Sequence, residues 1–237
     1  MFNRSLPSIV LAALLLAPIP VVAAEEVPEE VLITGSLLRT YDGYEQPHVT
    51  LTKRADNLIT EVRVVCDTRD LSQRRDELRA TLRNMIRATA QSPTITLGLG
   101  NEIIGTFDES NIDAVIRSDG RADTSQAIVV IKTAVSATDT FDSATARITD
   151  FIQRTPKVGR TEILRNDKWN LTIIGVERNR PQLVSLIAAD AKRTAGVFGA
   201  NYQINVEGLQ LPISWYQVGP LDLALYIPYK LQIGPTR

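Results

Sequence analysis

Residues that could do chemistry are few in this 237-residue chain, and they lie far apart. His48 is its single histidine and Cys66 its single cysteine. A histidine-rich metal site and a thiolate zinc site each need several such ligands, so both are excluded. A Ser-His-Asp triad would have to use His48 at the edge of the folded part, and a surface histidine is the better interpretation. We therefore predict a protein without catalytic residues, cofactor or metal.

Two further patterns resemble ligand-binding loops only in part. Gly98, Gly100 and Gly105 do not match Gly-x-Gly-x-x-Gly, and the sequence has no Gly-Lys-Ser/Thr loop for phosphate. The acidic run from Asp108 to Asp123 lacks the alternating carboxylates and distal glutamate of a calcium loop. We predict ordinary solvated turns and loops at both places. Asn170 begins a glycosylation acceptor triplet, but it lies in a predicted strand, so we discount it.

Cys66 ends a predicted strand. Alternation places Leu58, Val62, Val64 and Cys66 on one face of this strand, which points to a buried face. One cysteine cannot form an intrachain disulfide. We predict a buried, inert thiol, with an intermolecular disulfide as the alternative.

The N-terminus has the layout of a cleavable signal peptide over residues 1–24. Arg4 precedes an apolar run from Ile9 to Ala17, and small residues end at Ala24. A membrane anchor would need about 17 to 25 apolar residues, and this run is shorter. We expect a mature chain without a transmembrane segment in the periplasm of a Gram-negative-type bacterium. Outer-membrane association is left open.

Charge and composition limit the partners of the mature chain. Its 25 basic and 27 acidic residues nearly balance, since only Arg4 is lost with the signal. A near-neutral chain has no electrostatic case for binding nucleic acid or anionic membrane. At 44% hydrophobic residues it can bury a core.

Residues 25–36 resemble the TonB box that opens the mature chain of many TonB-dependent outer-membrane receptors. Acidic residues are followed there by Glu-Val-Leu-Ile-Thr-Gly-Ser. The resemblance implies a docking strand for the TonB C-terminal domain, and an inherited or accidental leader is the alternative. The candidate docking residues are Glu30, Val31, Leu32, Ile33, Thr34 and Gly35. We do not expect a receptor. The 22 membrane-spanning strands of such a transporter would alone take about 200 residues, which leaves almost none of this chain for turns, loops and a plug.

Residues 25–47 have the composition of an acidic flexible tail. The hydrophobic pattern of the residues that follow predicts three strand-then-helix units, near 58–90, 126–155 and 168–199. Asp70 can cap the first helix, Leu71–Ala90. Its predicted apolar stripe is Leu71, Leu78, Leu82, Met85 and Ile86. Its predicted solvated face is Arg74, Arg75, Glu77, Arg79 and Arg83.

The other two units are also marked by caps and apolar spacing. Residues 126–135 read as a strand covered on both faces, and Thr138 or Asp139 can cap the next helix. The third unit has a strand over 169–177. Its helix is marked by Asn179 as cap, Pro181 in the first turn and Gly199 as terminator.

The remaining segments complete an α+β fold in which βα units form two layers, with helices packed on a mainly antiparallel or mixed sheet. We place it at residues 48–237, with two subdomains meeting near 100–125 as an alternative. Residues 100–125 read as loops with at most one strand. Further strands are predicted at 94–99, 161–164, 202–206, 213–218 and 221–233. Pro228 makes the last of these an edge strand or bends it.

The second half resembles SIMPL-domain proteins. The resemblance rests on Asp167–Arg180, on the Ala-rich helix with Ala188-Ala189-Asp190-Ala191, on Phe198–Tyr202 and on Leu223–Tyr229. It extends back through the strand and helix of 58–90 and covers most of residues 48–233. It implies a periplasmic or envelope α+β protein that oligomerises and is linked to envelope or oxidative stress. The family brings no catalytic residues to transfer.

Overall fold

The computed structural model describes residues 30–33, 48–100, 104–199 and 202–235, and these form the predicted α+β fold. The strands are β1 (Glu30–Ile33), β2 (Leu51–Arg54), β3 (Asn57–Cys66), β4 (Ile95–Leu99), β5 (Gly105–Thr106), β6 (Arg117–Ser118), β7 (Ser125–Ala134), β8 (Thr161–Arg165), β9 (Asn170–Ile174), β10 (Tyr202–Glu207), β11 (Ser214–Gln217), β12 (Asp222–Tyr226) and β13 (Lys230–Pro235). The α-helices are α1 (Leu71–Thr89), α2 (Ile112–Val115), α3 (Phe141–Arg154) and α4 (Arg180–Phe198). The predicted signal peptide lies outside the described residues.

A large antiparallel sheet organises the fold. Its strand order is β1-β9-β3-β7-β4-β5, with β8 beside β3 and β6 beside β7. β3 and β7 form its centre and pair along ten residues each. The mainly antiparallel sheet is therefore confirmed.

The helices cover one face of this sheet. Leu58, Val62, Val64 and Cys66 of β3 are all fully buried on it, as their alternation predicts. Helices α1 and α3 add the side chains that fill the cluster above β3 and β7. Those side chains are Leu78, Leu82, Met85, Ile148 and Phe151.

Helix α1 begins as predicted but buries more polar surface than expected. The Asp70 carboxylate accepts a hydrogen bond from the backbone N–H of Gln73 at 2.7 Å, which caps the helix. Leu71 was placed on the apolar stripe, and this is wrong because its side chain is 53% exposed. Arg74 and Glu77 were placed on the solvated face, and this is also wrong because both are buried.

Strand β7 is not covered on both faces, contrary to the prediction. Ile128 on the face away from the helices is 46% exposed. In the sheet register Ile128 and Leu164 lie on either side of Arg63, which is also exposed. This face is only partly open to water, as is common for one face of an antiparallel sheet, because Ile59, Val65 and Val130 on it are buried.

Helix α3 is capped one residue later than predicted. The Thr140 hydroxyl accepts from the Ser143 N–H at 3.1 Å, and the Thr140 N–H donates to the Ser143 hydroxyl at 3.0 Å. This reciprocal pair is a capping box. Asp139 is free of the capping role and binds Arg147 instead.

The third unit follows the prediction except at its turn. β9 ends at Ile174 because Gly175 adopts a left-handed backbone, with φ of 60°, and a 3₁₀ turn follows. Asn179 precedes α4, but its amide donates to the Val176 carbonyl and does not cap the helix. Pro181 and Gly199 occupy the predicted first turn and terminus.

Two regions differ from the prediction. Between 104 and 125 the chain forms β5, a 3₁₀ turn, α2 and β6, where we predicted loops with at most one strand. The predicted strand 221–233 is divided near Pro228, since β12 joins a sheet of order β11-β12-β2 and β13 pairs with β10. Four-residue β2 has too short a pattern to be recognised in the sequence.

A second hydrophobic cluster forms where α4 and the small sheet meet the end of β3 and β9. Trp169 contacts this cluster and the first one. The buried leucines and isoleucines of the second cluster are Leu58, Leu171, Ile173, Leu183, Ile187, Ile213, Leu221, Leu223, Leu225 and Ile227. The end of β9 that faces β1 is thus held on a packed core.

Candidate functional site

The predicted docking residues lie at an edge of the large sheet. Glu30 to Ile33 form β1, which pairs antiparallel with β9. The register sets Glu30 opposite Ile174 and Ile33 opposite Leu171. Thr34 and Gly35, the other two predicted residues, lie outside the described residues.

Strand β9 is separated from β8 by a local interruption, and its side away from β3 pairs with β1. Both strands run along the same side of β3, at its opposite ends. Between them, the Thr60 hydroxyl contacts the Asn166 side chain at 3.0 Å and the Lys168 carbonyl at 2.9 Å. Thr60 is fully buried and holds the segment that separates the two strands, so β9 is a short strand of its own.

The direction of the β9 backbone groups follows from its contacts with the other side. The Asp56 N–H donates to the Thr172 carbonyl at 2.9 Å, and the Ile174 N–H donates to the Asp56 carboxylate at 2.6 Å. Thr172 and Ile174 therefore direct their backbone groups toward β3. Because backbone direction alternates along a strand, the groups of Leu171 and Ile173 face β1.

The same alternation assigns the backbone of β1. Val31 lies opposite Ile173, so its N–H and carbonyl face β9. Leu32 lies opposite Thr172, so its N–H and carbonyl point to the outer side. The TonB-box-like segment thus uses one backbone edge on its own domain and presents the other.

A buried polar cluster that the sequence did not reveal surrounds Glu77. Its carboxylate accepts hydrogen bonds from the Thr68 hydroxyl at 2.6 Å, the Arg160 N–H at 3.1 Å, the Cys66 thiol at 3.2 Å and the Gln73 amide at 2.9 Å. These donors, led by Thr68, lower the pKa of Glu77 to about 2 although burial opposes the charge. The cluster joins α1 to the end of β3 and to the loop before β8.

Two neighbours complete that cluster. The buried Arg74 guanidinium donates to the Thr68 carbonyl at 2.6 Å and to the Ser125 hydroxyl at 3.0 Å. Gly159 passes so close that an added Cβ would lie 2.1 Å from the Glu77 carboxyl carbon. No short sequence pattern could show this, because Glu77 and the loop at 159–160 are more than 80 residues apart.

A second charged group joins β7 to α3. The Asp139 carboxylate receives two hydrogen bonds from Arg147, at 2.5 and 3.0 Å, and one from the Ser136 N–H at 2.7 Å. Arg147, first among these, holds the pKa of Asp139 well below its usual range. Asp139 also lines a cleft of about 510 Å³ with Asp142 and Asp222. A carboxylate kept ionised by a fixed guanidinium is poorly suited to proton transfer.

The two residues considered first for chemistry do not meet. His48 is exposed at the start of the domain, whereas Cys66 is fully buried, as predicted, and its thiol contacts Glu77 and Thr68. Among the described residues no three histidine, cysteine, aspartate or glutamate side chains lie close enough to hold a metal ion. No helix in the same part of the chain is both long and apolar enough to span a bilayer.

The geometry therefore brings together strand edges and compensated charges. Comparisons with protein-family models, with curated proteins and with solved structures find no match to this chain.

Proposed function

We propose that this protein acts in the periplasm by binding and self-association and not by catalysis, in keeping with its resemblance to SIMPL-domain proteins. The observation that carries the proposal is the pairing of β1 with β9. It supports a sheet edge that accepts an extended segment through backbone hydrogen bonds, a common mode of protein recognition. The signal peptide predicted over residues 1–24 supports the location.

The charged side chains support a binding role over an enzymatic one. The carboxylates of Glu77 and Asp139 each receive several fixed hydrogen bonds within the fold. Carboxylates held in this way stay ionised, so they resist the proton exchange that general acid–base catalysis requires. Their contribution is to hold helices on the sheet.

Binding at the β9 edge can be tested with the full chain from residue 25 onward. A labelled peptide of residues 25–40 is titrated against the wild-type chain and against a Val31→Pro variant. Proline removes the N–H that faces β9, so β1 of the variant should occupy the edge less often and the edge should bind the peptide more tightly. Absence of peptide binding to Val31→Pro, even at millimolar concentration, would contradict the proposal.

The matched control for that titration is Leu32→Pro. The Leu32 N–H points away from β9 by the alternation of the strand, so this proline leaves the β1–β9 ladder intact. The Leu32→Pro chain should bind the added peptide as weakly as the wild type does.

A second candidate function is a TonB-linked accessory role. Residues 30–33 are favoured for it because they are extended and direct the backbone groups of Leu32 outward. An incoming strand of the TonB C-terminal domain could pair with that side. We expect a peptide of residues 25–40 to bind this domain and its Leu32→Pro form to bind more weakly. No binding at millimolar peptide would remove this role.

A further inference from the structure

Strands β10 and β13 form a separate two-stranded ribbon. Their antiparallel register runs from Tyr202 opposite Pro235 to Glu207 opposite Lys230. The segment that follows β10, which we call the base of the ribbon, is held in place because the Arg180 guanidinium donates to the carbonyls of Leu209 and Leu211 at 2.7 and 2.9 Å. The ribbon is therefore a defined surface and not a loose end.

The outer edge of β10 lacks the usual protection. Among the described residues β10 pairs with β13 and with no other strand. β10 contains no proline, and its single charge, Glu207, lies at its end. β13, by contrast, begins at Lys230 and ends at Pro235. Charges and prolines are what keep sheet edges from pairing with other chains, so β10 is the open edge of the ribbon.

One face of β10 is also apolar and exposed. Tyr202 and Ile204 share this face and are 40% and 38% exposed. The ring of Phe198, 57% exposed at the end of α4, lies 5.7 Å from the ring of Tyr202. Exposed apolar surface beside an unpaired backbone edge favours a protein partner.

We propose that β10 is a homodimer interface, in which it pairs antiparallel with β10 of a second copy about a two-fold axis through Asn205. The proposal deepens the self-association in the proposed function and rests on it. In this register Ile204 lies opposite Val206 of the second copy, so the apolar face continues across the dimer. The result is a four-stranded sheet of order β13-β10-β10-β13.

The charges of β10 favour a second copy as the occupant. The register brings the Gln203 amide opposite the Glu207 carboxylate of the second copy, and Asn205 opposite itself. No two like charges face each other, and a two-fold axis repeats every favourable contact. The only charged residue of β10 is thus given a polar partner.

The size of this edge sets the expected strength. A stable interface buries roughly 1,600 Å² in total, and a six-residue strand edge with its adjoining apolar face provides less. The dimer should therefore form and dissociate with concentration in the micromolar range. A permanent dimer is not expected from this surface alone.

Sedimentation velocity on the chain from residue 25 onward tests the proposal with two lysine variants. Asn205→Lys puts two lysines opposite each other and should weaken the dimer roughly tenfold or more. Gln203→Lys, on the same polar face, puts its lysine opposite Glu207 and should leave the dimer intact or tighter. Thermal melts like that of the wild type establish that both variants fold.

A charge exchange makes the test independent of any single variant. At a concentration where the wild type dimerises, Asn205→Lys and Asn205→Glu should each be mainly monomeric, and their mixture should form a heterodimer. A wild-type chain that stays monomeric at every concentration would overturn the proposal, and so would an Asn205→Lys dimer as tight as the wild type. Val31→Pro should leave the dimer unchanged. If Val31→Pro abolishes a dimer that Asn205→Lys retains, association runs through β1 and the β10 interface is wrong.

Discussion

Val31 lies opposite Ile173, in the antiparallel pair that joins β1 to the outer edge of β9. Asp56 binds the backbone of Thr172 and Ile174 from the other side, which leaves the Ile173 backbone directed at Val31. Neighbouring residues of β1 therefore have different roles. The backbone N–H and carbonyl of Val31 face β9, and those of Leu32 face outward.

The first prediction concerns the amide of Ile173. Val31→Pro should lower its protection against hydrogen exchange roughly fivefold, because losing the hydrogen bond from the Val31 N–H to the Ile173 carbonyl weakens the β1–β9 pairing by about 1 kcal/mol. Leu32→Pro should leave Ile173 as protected as in the wild type. Exchange measured by NMR at this one amide decides the matter. Equal loss of protection in both variants would show that the backbone directions of β1 are assigned wrongly.

Local signals in the sequence predicted the parts of the fold that depend on neighbouring residues. Asp70 and Pro181 mark the starts of α1 and α4 because capping and the missing proline N–H act within one turn. Gly199 marks the end of α4 for the same reason. The strand periodicity of β3 likewise predicted which face is buried, since side chains alternate regardless of distant partners.

The second prediction concerns the Glu77 carboxylate and acid stability. Its pKa is lowered from 4.5 to about 2 by the Thr68 hydroxyl and the other donors. A lowered pKa in the folded state stabilises the fold above pH 4.5, and this contribution disappears as the pH falls from 4.5 toward 2. Glu77→Gln should cost about 2 kcal/mol of unfolding free energy at neutral pH.

The pH dependence separates this role from a simple packing defect. The difference between wild type and Glu77→Gln in urea unfolding should be constant above pH 5 and shrink toward pH 2. Glu162→Gln, at an exposed position of β8, should change stability by less than about 0.5 kcal/mol at any pH. A pH-independent loss in Glu77→Gln would contradict the linkage.

The Glu77 cluster also shows where sequence reasoning fails. A glutamate between arginines on a helix is typical of a solvated face, and Arg74 and Glu77 were assigned there. Their partners come from the end of β3, from Ser125 and from the loop at 159–160, which no local pattern connects. The same limit applies to the break between β8 and β9, which is held by Thr60 from more than 100 residues away.

The third prediction concerns the ion pair between Asp139 and Arg147. Asp139→Asn should destabilise the protein by about 2 to 3 kcal/mol, because it leaves a half-buried guanidinium with a neutral partner. The matched control is Asp167→Asn. Asp167 is 99% exposed and lies 3.8 Å from Arg165, so its loss should stay within about 0.5 kcal/mol. Chemical unfolding of both variants compares them directly.

The fourth prediction compares Gly208, which follows β10, with Gly196, which lies within α4. Gly208 has φ of 95°, and a Cβ there would lie 2.7 Å from the Pro228 carbonyl oxygen. Gly208→Ala should therefore destabilise the protein by about 2 kcal/mol, through backbone strain and this contact. Gly196 lies within α4, where an added Cβ meets nothing within 4 Å. Gly196→Ala should stabilise it by about 0.5 to 1 kcal/mol.

The comparison tests whether the backbone at Gly208 is held close to the Pro228 carbonyl, with no room for a side chain. Urea unfolding gives the two free energies, and sedimentation gives the effect on association. If the Gly208 turn positions β10 for pairing, Gly208→Ala should weaken the dimer as well as the fold, whereas Gly196→Ala should leave the dimer unchanged. A Gly208→Ala variant as stable as Gly196→Ala would mean that the turn can move away from Pro228. The ribbon would then be too mobile to hold the register centred on Asn205.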